Sequence, residues 1–253
     1  MILDDFSLQG KVAVVTGCNT GLGKSMAVAL AQAGCDIVAI NRRDPADTAA
    51  EVGATGRRFL SLQADLGRQD RLSSLLERAV EEMGHIDILV NNAGLIRRED
   101  ALNFSEQDWD DVMNVNIKTL FFLSQLAARQ FIKQGSGGKI INIASMLSFQ
   151  GGVRVPSYTA SKSAVMGLTR QLANEWAKYG INVNALAPGY MVTNNTEQLR
   201  SDEERSAEIL ARIPAGRWGT PQDLMGPVIF LASKAADYIN GYTLAVDGGW
   251  LAR

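Results

Sequence analysis

Residues Lys11–Gly23 read K-V-A-V-V-T-G-C-N-T-G-L-G and are the strongest indication of fold in this chain of 253 residues. The valine-rich run Lys11–Thr16 is typical of a buried parallel strand. Three glycines follow within seven residues, and Met26–Ala33 then has the composition of a helix. A strand, a glycine loop and a helix N-terminus form an anion site, because unpaired N–H groups and the helix dipole favour phosphate. The spacing G-x-x-x-G-x-G, without a following Gly-Lys-Ser/Thr, indicates a dinucleotide rather than ATP.

Short apolar runs rich in valine and isoleucine alternate with longer helical stretches along the rest of the chain. The remaining strand predictions are Asp36–Ile40, Phe59–Gln63, Ile86–Val90, Lys139–Ile143, Ile181–Leu186 and Tyr242–Val246. This alternation predicts a single α/β domain, residues 1–253, whose parallel sheet carries helices on both faces. Capping patterns at Ser105–Asp108 and Thr220–Asp223 predict two helix starts. The first of these helices is expected to continue past Phe121 and Phe122.

The composition excludes several classes of protein. A net charge of −2 provides no basic surface for nucleic acid. The apolar runs are too short to cross a membrane, and the acidic N-terminal segment is unlike a secretory signal. Two cysteines, Cys18 and Cys35, are too few for a disulfide framework and favour a reducing cytoplasm. His85 is the only histidine and is expected in a surface turn, so a zinc-dependent dehydrogenase or a Ser–His–Asp hydrolase is difficult to build.

Ser145, Tyr158 and Lys162 form a pattern that can move a proton to or from an alcohol. In a helix, Tyr158 and Lys162 lie on one face, one turn apart. A free tyrosine has a pKa of about 10, and a neighbouring cation lowers it toward the range in which a general base works. Ser145 would hydrogen-bond the substrate oxygen beside the phenol. The Tyr–Lys spacing alone also fits a solvated helix face, but the glycine loop and the serine favour an alcohol/ketone oxidoreductase.

An ordered set of motifs resembles the short-chain dehydrogenase/reductase family along nearly the whole chain. The motifs are T-G-x-x-x-G-x-G at Thr16–Gly23, Asp65, Asn91–Gly94, Asn116, Ser145, Tyr158-x-x-x-Lys162, Pro188–Gly189 with Thr193, and Asp247–Gly249. The resemblance implies a Rossmann-like doubly wound fold without a metal. It also implies a catalytic tetrad, which consists of Asn116, Ser145, Tyr158 and Lys162. In this tetrad Asn116 is expected to hold a water that links Lys162 to solvent.

The same resemblance implies a cofactor site, with Asp65 and Asn91 at the adenosine half and Val192 and Thr193 at the carboxamide end. The residues expected there are Gly17, Asn19, Gly21, Leu22, Gly23, Asn41, Arg42, Asp65, Leu66, Asn91, Ala93, Gly94, Tyr158, Lys162, Pro188, Gly189, Val192 and Thr193. NAD-selective members carry an acid at the end of the second strand, where this chain has Asn41 followed by Arg42. Asparagine can still bond a ribose hydroxyl and does not repel a 2′-phosphate. We expect NAD as cofactor, with NADP as the alternative.

Four further stretches resemble members of the family that act on sugar acids in pectin and uronate breakdown. They are Ile96–Asp100, Ala144–Tyr158, Ala187–Thr196 and Arg212–Gly219. A sugar acid needs a cation for its carboxylate, and a guanidinium matches a carboxylate in two-point geometry. The candidates are Arg97, Arg98, Arg154 and Arg217, with Arg154 preferred because it lies between Ser145 and Tyr158. The expected substrate residues are Ser145, Gln150, Arg154, Tyr158 and Tyr190.

Other functions are compatible with the same framework. One is a reductase of another carbonyl, such as a 3-oxoacyl-carrier-protein or gluconate, possibly with NADP. A sugar epimerase would resemble longer chains with a different glycine spacing, and a non-enzymatic dinucleotide sensor would not need the complete tetrad. The family resemblance also implies a homotetramer, in which Trp250 and Leu251 could pack across an interface, and the cysteine count favours a cytoplasmic location. The partners expected are therefore a small sugar acid and copies of the same chain.

Overall fold

A computed structural model describes residues 1–253 and contains one seven-stranded sheet of order β3-β2-β1-β4-β5-β6-β7. The strands are β1 Val12–Thr16, β2 Asp36–Asn41, β3 Phe59–Gln63, β4 Ile88–Asn91, β5 Gly138–Ile143, β6 Ile181–Pro188 and β7 Thr243–Val246. Every neighbouring pair is parallel. The predicted doubly wound parallel sheet is therefore confirmed, and each strand prediction shifts only slightly at its ends.

The α-helices cover both faces of this sheet. They are α1 Gly21–Gln32, α2 Ala46–Ala54, α3 Leu72–Met83, α4 Glu106–Met113, α5 Leu120–Gln134, α6 Pro156–Trp176, α7 Glu197–Ser201, α8 Glu203–Arg212 and α9 Met225–Ala232. Side chains of β1 point alternately to the two faces. Ala13 and Val15 pack in a core with α1 and α9, whereas Val12 and Val14 pack in a second core with α3, α5 and α6. None of the helices combines the length and hydropathy needed to span a bilayer.

The strand order places the functional loops together. Because all strands are parallel, their carboxyl ends lie at one edge of the sheet. The order changes direction between β1 and β4, and the loops after these two strands separate there to leave a crevice. The loop after β1 carries the glycines, the segment after β5 carries Ser145, and α6 carries Tyr158 and Lys162.

Helix α1 begins at Gly21, earlier than the predicted start at Met26. Glycine is a poor helix former, so Gly21 and Gly23 give the first turn of α1 a composition that is not typical of a helix. The last two glycines of the loop therefore belong to the helix. This arrangement brings the helix N-terminus directly to the crevice.

The helix predicted from Ser105 is confirmed, because the Ser105 side chain accepts a hydrogen bond from the backbone N–H of Asp108 at 3.1 Å. It continues past Phe121 as predicted, but through a π-helical segment at Asn114–Thr119 that the sequence did not indicate. Such segments often lie at functional sites, and this one contains Asn116. At the second predicted start, Thr220, a short 3₁₀ segment leads into α9.

Candidate active site

Thr16 and Asn92 fasten the carboxyl ends of β1 and β4 to each other. The Asn92 side-chain amide donates to the carbonyl oxygens of Thr16 (2.9 Å) and Gly17 (2.8 Å). The backbone N–H groups of Asn92 and Ala93 donate to the Thr16 hydroxyl at 3.0 and 2.9 Å. These bonds fix the glycine loop against the carboxyl end of β4. This role of the Asn92 side chain could not be predicted from the sequence, although the residue lies within the N-N-A-G motif.

The glycine loop has the features that a pyrophosphate group requires. Gly17 has a φ of +66°, a conformation that favours glycine. A Cβ at Gly23 would overlap the Gly17 carbonyl oxygen and the Asn92 amide nitrogen. No side chain caps the N-terminus of α1 at Thr20, so N–H groups of its first turn remain available to an anion. The residues present therefore fit a dinucleotide.

A cavity of about 620 Å³ extends along this edge of the sheet, from Arg42 and Asp65 to Tyr158 and Lys162. All but three of the expected cofactor residues line it. It is also lined by residues that the sequence analysis did not select, among them Thr20, Arg43, Ala64, Asn92, Asn194 and Asn195. Each of these residues is next or close in sequence to an expected cofactor residue. This proximity is the sign in the sequence that they would line the cavity.

Three expected cofactor residues do not line the cavity. Asn91 is buried, and its amide donates to Ser124 Oγ and Asn142 Oδ1, both at 2.9 Å. The donors of its side chain thus join β4 to β5 and α5, and its contact with adenosine stays a prediction. The other two are Pro188 and Gly189. They position the following segment instead, because Gly189 N–H bonds Val246 and a Cβ there would lie 2.7 Å from Asp247 Cα.

Asn41 lies at the cavity but its side-chain oxygen is already used. Asn41 Oδ1 accepts the Cys18 N–H at 2.7 Å, and Thr48 Oγ1 donates to the Cys18 carbonyl at 2.7 Å. The expected bond from this oxygen to a ribose hydroxyl is therefore replaced by a bond that holds the glycine loop. Burial raises the pKa of the Cys18 thiol to about 11, which leaves it unreactive.

The two arginines after Asn41 give this end of the cavity a positive charge. Arg42 and Arg43 line the cavity, are exposed and make no ion pair. No acidic side chain occupies the position that excludes a 2′-phosphate in NAD-selective members of the family. The local charge therefore accommodates NADP as well as NAD.

Ser148 fastens the turn that carries Ser145 to the helix that carries Tyr158 and Lys162. Its hydroxyl donates to the Lys162 carbonyl at 2.6 Å and accepts the Ser145 N–H at 3.3 Å. Ser148 itself is buried. The structure thus brings Ser145, Tyr158 and Lys162 together, as the sequence predicted, through a residue that the sequence analysis did not select.

The electrostatics of Tyr158 differ from the sequence expectation. Burial raises the pKa of Tyr158, and a hydrogen bond with Ser145 and the charge of Arg98 act in the opposite direction. The ammonium of Lys162 donates to the Ile143 carbonyl at 2.5 Å and lies 5.6 Å from the centre of the phenol ring.

The ammonium of Lys162 is itself destabilised, since burial lowers the pKa of Lys162 from 10.5 to about 8. Between these values the unfolded chain binds the proton and the folded chain does not, so stability increases as pH rises through this window. We expect the unfolding free energy of the wild type to increase relative to Lys162→Met by on the order of 3 kcal/mol between pH of about 7.5 and about 10.5. Urea unfolding at several pH values measures this difference. The exposed-lysine control Lys133→Met should follow the wild type, and parallel curves for Lys162→Met would contradict the expectation.

Asn116 holds the wall of the cavity against α6. Its amide nitrogen donates to the Leu95 carbonyl and to Ser161 Oγ, both at 3.0 Å, and its oxygen accepts the Leu95 N–H at 2.7 Å. Both amide donors are therefore used, and a water could bond only to Oδ1. A Cβ on Gly94 would lie 3.3 Å from Asn116 Oδ1 and 3.8 Å from Lys162 Nζ. The space beside Gly94 thus connects the two side chains.

Arg154, the preferred carboxylate ligand, lies elsewhere than expected. Its guanidinium pairs with Asp100 at 3.3 Å and Glu99 at 3.6 Å, and it does not line the cavity. Its carbonyl accepts the Glu99 N–H at 3.0 Å, and its φ is +61°. Arg154 therefore ties two loops to each other in this structure, and its role as the carboxylate ligand stays a prediction.

Three other expected substrate residues, Ser145, Gln150 and Tyr190, also do not line the cavity. Gln150 Oε1 accepts a hydrogen bond from Arg212 at 3.3 Å. Tyr190 packs edge-on against Trp218 and Trp250, with ring centroids 5.4 and 4.8 Å away. Tyr190 is thus part of an aromatic cluster, and neither residue is placed to bind a substrate hydroxyl within the cavity.

His85 precedes β4 and so lies at the opposite edge of the sheet from Tyr158. Its Nε2 is 3.1 Å from Asp87 and 3.2 Å from the Gly10 carbonyl. No imidazole is therefore available beside the cavity. Of the groups at this end, the phenol of Tyr158 is the one placed to exchange a proton with an alcohol.

Residues 11–204 match the model of the short chain dehydrogenase family, and the chain belongs to this family of oxidoreductases. Over all 253 residues it is 76% identical to the 2-dehydro-3-deoxy-D-gluconate 5-dehydrogenase of Escherichia coli K12, with complete coverage of both chains. It is also similar to the structure of a candidate 2-deoxy-D-gluconate 3-dehydrogenase from Agrobacterium tumefaciens with bound NADP. That structure has a TM-score of 0.91 and 54% identity, and the match covers 99% of this chain and 100% of the other.

A third similar protein is a gluconate 5-dehydrogenase from Burkholderia cenocepacia, solved in complex with NADP and tartrate. Its structure has a TM-score of 0.95 and 39% sequence identity, and the match covers 100% of both chains. The similar proteins thus share the whole fold of this chain.

Proposed function

We propose that this chain is an NAD(P)-dependent oxidoreductase that interconverts 2-dehydro-3-deoxy-D-gluconate and its 2,5-diketo form at C5. The observation that carries the proposal is the 76% identity, over both full chains, to the Escherichia coli enzyme that bears this name. The site supports it, because one cavity joins the glycine loop to Tyr158 and Lys162.

The reaction requires one proton and one hydride to leave the alcohol. A bound nicotinamide would accept the hydride, or donate it in the reverse direction. Ser145 orients the substrate oxygen, and Tyr158 removes the hydroxyl proton in oxidation and returns it in reduction. The carbonyl group forms as the C–H bond at this carbon breaks and the hydrogen leaves as hydride. Ser148 bonds both the Ser145 turn and Lys162, and so fixes the hydroxyl groups of Ser145 and Tyr158 relative to each other.

Lys162 and Asn116 provide the route by which Tyr158 exchanges its proton with solvent. The space beside Gly94 borders both Lys162 Nζ and Asn116 Oδ1, and a water there could bond to both. With its pKa lowered to about 8, the ammonium can give up a proton near neutral pH more readily than an ordinary lysine.

Nicotinamide absorbance with purified protein and 2-dehydro-3-deoxy-D-gluconate tests this proposal. We expect turnover with NAD and with NADP. Gluconate is the second candidate, because the similar Burkholderia enzyme is a gluconate 5-dehydrogenase. Turnover of gluconate alone would favour that candidate, and no turnover of either acid would reject the sugar-acid assignment and leave 3-oxoacyl thioesters to be tested.

We propose that Arg42 binds the 2′-phosphate of NADP. Its exposed guanidinium at the cavity has no acidic partner, so a phosphate can pair with it. Arg42→Ala should raise the KM for NADP by about tenfold or more and change the KM for NAD by less than about twofold. Arg78→Ala, which removes an exposed arginine from α3, is the control. Equal effects on both cofactors would reject the assignment.

We further propose that the enzyme is a cytoplasmic homotetramer that acts in pectin and uronate catabolism. Two free cysteines suit a reducing compartment. Exposed aromatic side chains support association between copies, since Tyr238 and Tyr242 lie in the segment that leads into the edge strand β7, and Trp109 and Phe122 lie on α4 and α5. Light scattering that reports a monomer would contradict the tetramer.

A further inference from the structure

Gln69 links the loop after β3 to the helical segment that carries Asn116. Its side-chain amide nitrogen donates to Asn114 Oδ1 and to Thr119 Oγ1, both at 2.9 Å. Gln69 begins a short 3₁₀ turn that leads into α3, whereas Asn114 and Thr119 are the first and last residues of the π-helical segment. One amide group therefore holds both ends of that segment.

The spacing of these two partners of Gln69 matches the geometry of a π-helix. Asn114 and Thr119 are five positions apart in the chain. An α-helix has about 3.6 residues per turn, so five residues span about 1.4 turns and the two side chains would point to different faces. In a π-helix, residues i and i+5 are hydrogen-bonded one turn apart. The bonds from Gln69 thus favour the π-helical geometry over a regular α-helix.

The same two side chains fasten the π-helical segment to the loop after β3. Asn114 Nδ2 donates to the Gly67 carbonyl at 2.6 Å, and Thr119 Oγ1 donates to the Leu66 carbonyl at 2.5 Å. Both Leu66 and Gly67 line the cavity. Thr119 is buried and Gln69 is half-buried, so water has little access to these bonds. The π-helical segment is therefore built against a wall of the cavity.

The geometry of this segment determines where Asn116 lies. Asn116 is its third residue, between the two partners of Gln69. The amide of Asn116 bonds to Leu95 and Ser161, and its oxygen borders the space beside Gly94. A change to α-helical geometry would rotate Asn116 relative to the ends of the segment. Asn116 would then lose its alignment with these partners.

We propose that Gln69 is a positioning residue, which keeps Asn114–Thr119 π-helical and thereby holds Asn116 beside Lys162. Gln69 does not line the cavity, and its hydrogen bonds include neither Tyr158 nor Lys162. It therefore acts on the reaction through Asn116. This inference rests on the proposed function, because Asn116 and Lys162 form the proposed route for the proton of Tyr158.

The first test compares Gln69→Met with the wild type at saturating cofactor. Methionine is similar in length to glutamine but has no N–H donor, so both bonds to the π-helical segment are lost. We expect kcat for 2-dehydro-3-deoxy-D-gluconate to fall by about tenfold or more and its KM to change by less than about twofold. Gln171→Met, which alters an exposed glutamine of α6, should behave like the wild type. An unchanged kcat in Gln69→Met would overturn the inference.

A double-mutant cycle with Asn116→Ala shows whether Gln69 acts through Asn116. If it does, the double variant should have the kcat of Asn116→Ala alone, within about twofold, because the residue that Gln69 positions is already absent. A merely structural role would lower kcat by the same factor with Asn116 present or absent. Effects that multiply in this way would count against the inference.

Thr119→Val provides a second variant in case Gln69→Met does not fold. Valine has the shape of threonine, and the change removes one of the two bonds from Gln69 and the bond to the Leu66 carbonyl. We expect kcat to fall in this variant, and to fall no further when Asn116→Ala is added. A wild-type kcat in Thr119→Val would contradict the proposed role of the π-helical segment.

Hydrogen exchange separates this inference from the proposed function, because it needs no substrate. The amide protons of residues 114–120 should exchange at least about tenfold faster in Gln69→Met than in the wild type, and those of α9 should not change. If the wild type fails to oxidise the sugar acid but exchange depends on Gln69, the proposed substrate is wrong and the support of the segment by Gln69 stands. If the sugar acid turns over and neither kcat nor exchange depends on Gln69, only the inference fails.

Discussion

Tyr158→Phe should lower kcat for oxidation of the sugar acid by about a thousandfold or more, because it removes only the hydroxyl that exchanges the proton. The dissociation constant for NADPH should stay within about twofold of the wild type, since the aromatic ring and the glycine loop remain. Stopped assays of nicotinamide absorbance measure turnover, and quenching or enhancement of NADPH fluorescence measures binding.

The control for this variant is Tyr179→Phe, which removes a hydroxyl from an exposed tyrosine at the end of α6. It should retain wild-type kcat. If Tyr158→Phe keeps more than about a tenth of the wild-type kcat, another group supplies the proton and the proposed acid/base is wrong. Loss of NADPH binding in the same variant would show instead that the Tyr158 hydroxyl supports the cofactor site.

Gly23→Ala should weaken NAD and NADP binding by about a hundredfold or more. The new Cβ would overlap the Gly17 carbonyl oxygen and the Asn92 amide, and neither can withdraw without breaking the bonds that fasten β1 to β4. The loop would have to open, and its N–H groups would lose their common direction. Isothermal titration with each cofactor measures the loss.

Gly53→Ala is the matched control, because Gly53 lies in α2 and no atom lies within 4 Å of its added Cβ. We expect unchanged cofactor binding and a gain in stability of up to about 1 kcal/mol from helix propensity. Cofactor binding at wild-type strength in Gly23→Ala would show that the loop yields to the extra methyl group. The close contact would then have no functional consequence.

The sheet could be predicted because its strands are short apolar runs separated by helical stretches. Each strand can therefore be recognised from its own residues alone. The start at Ser105 was predictable for the same reason, since its capping bond joins residues three positions apart. The start of α1 was not, because the loop glycines hide its first turn. The π-helical segment around Asn116 has no sequence signature of its own.

The same distinction between local and distant contacts applies to the residues of the site. Tyr158 and Lys162 could be predicted to meet because helical spacing places them together. The side-chain partners of Asn41 and Asn91 could not be predicted, since they come from distant segments. The ion pairs of Arg154 could not be predicted for a related reason: its proximity to Ser145 in sequence does not reveal that Glu99 and Asp100 pair with it in the fold.

The hydrogen bonds of Ser148 have a consequence for how this enzyme can change its substrate range. They join the Ser145 turn to the body of α6 by hydrogen bonds that include neither Arg98 nor Asn195. The chain segments around these two residues can therefore be exchanged or lengthened without breaking the hydrogen bonds of Ser148. Directed evolution toward new acids is therefore expected to succeed by loop replacement and to fail when it alters the Ser148 bridge.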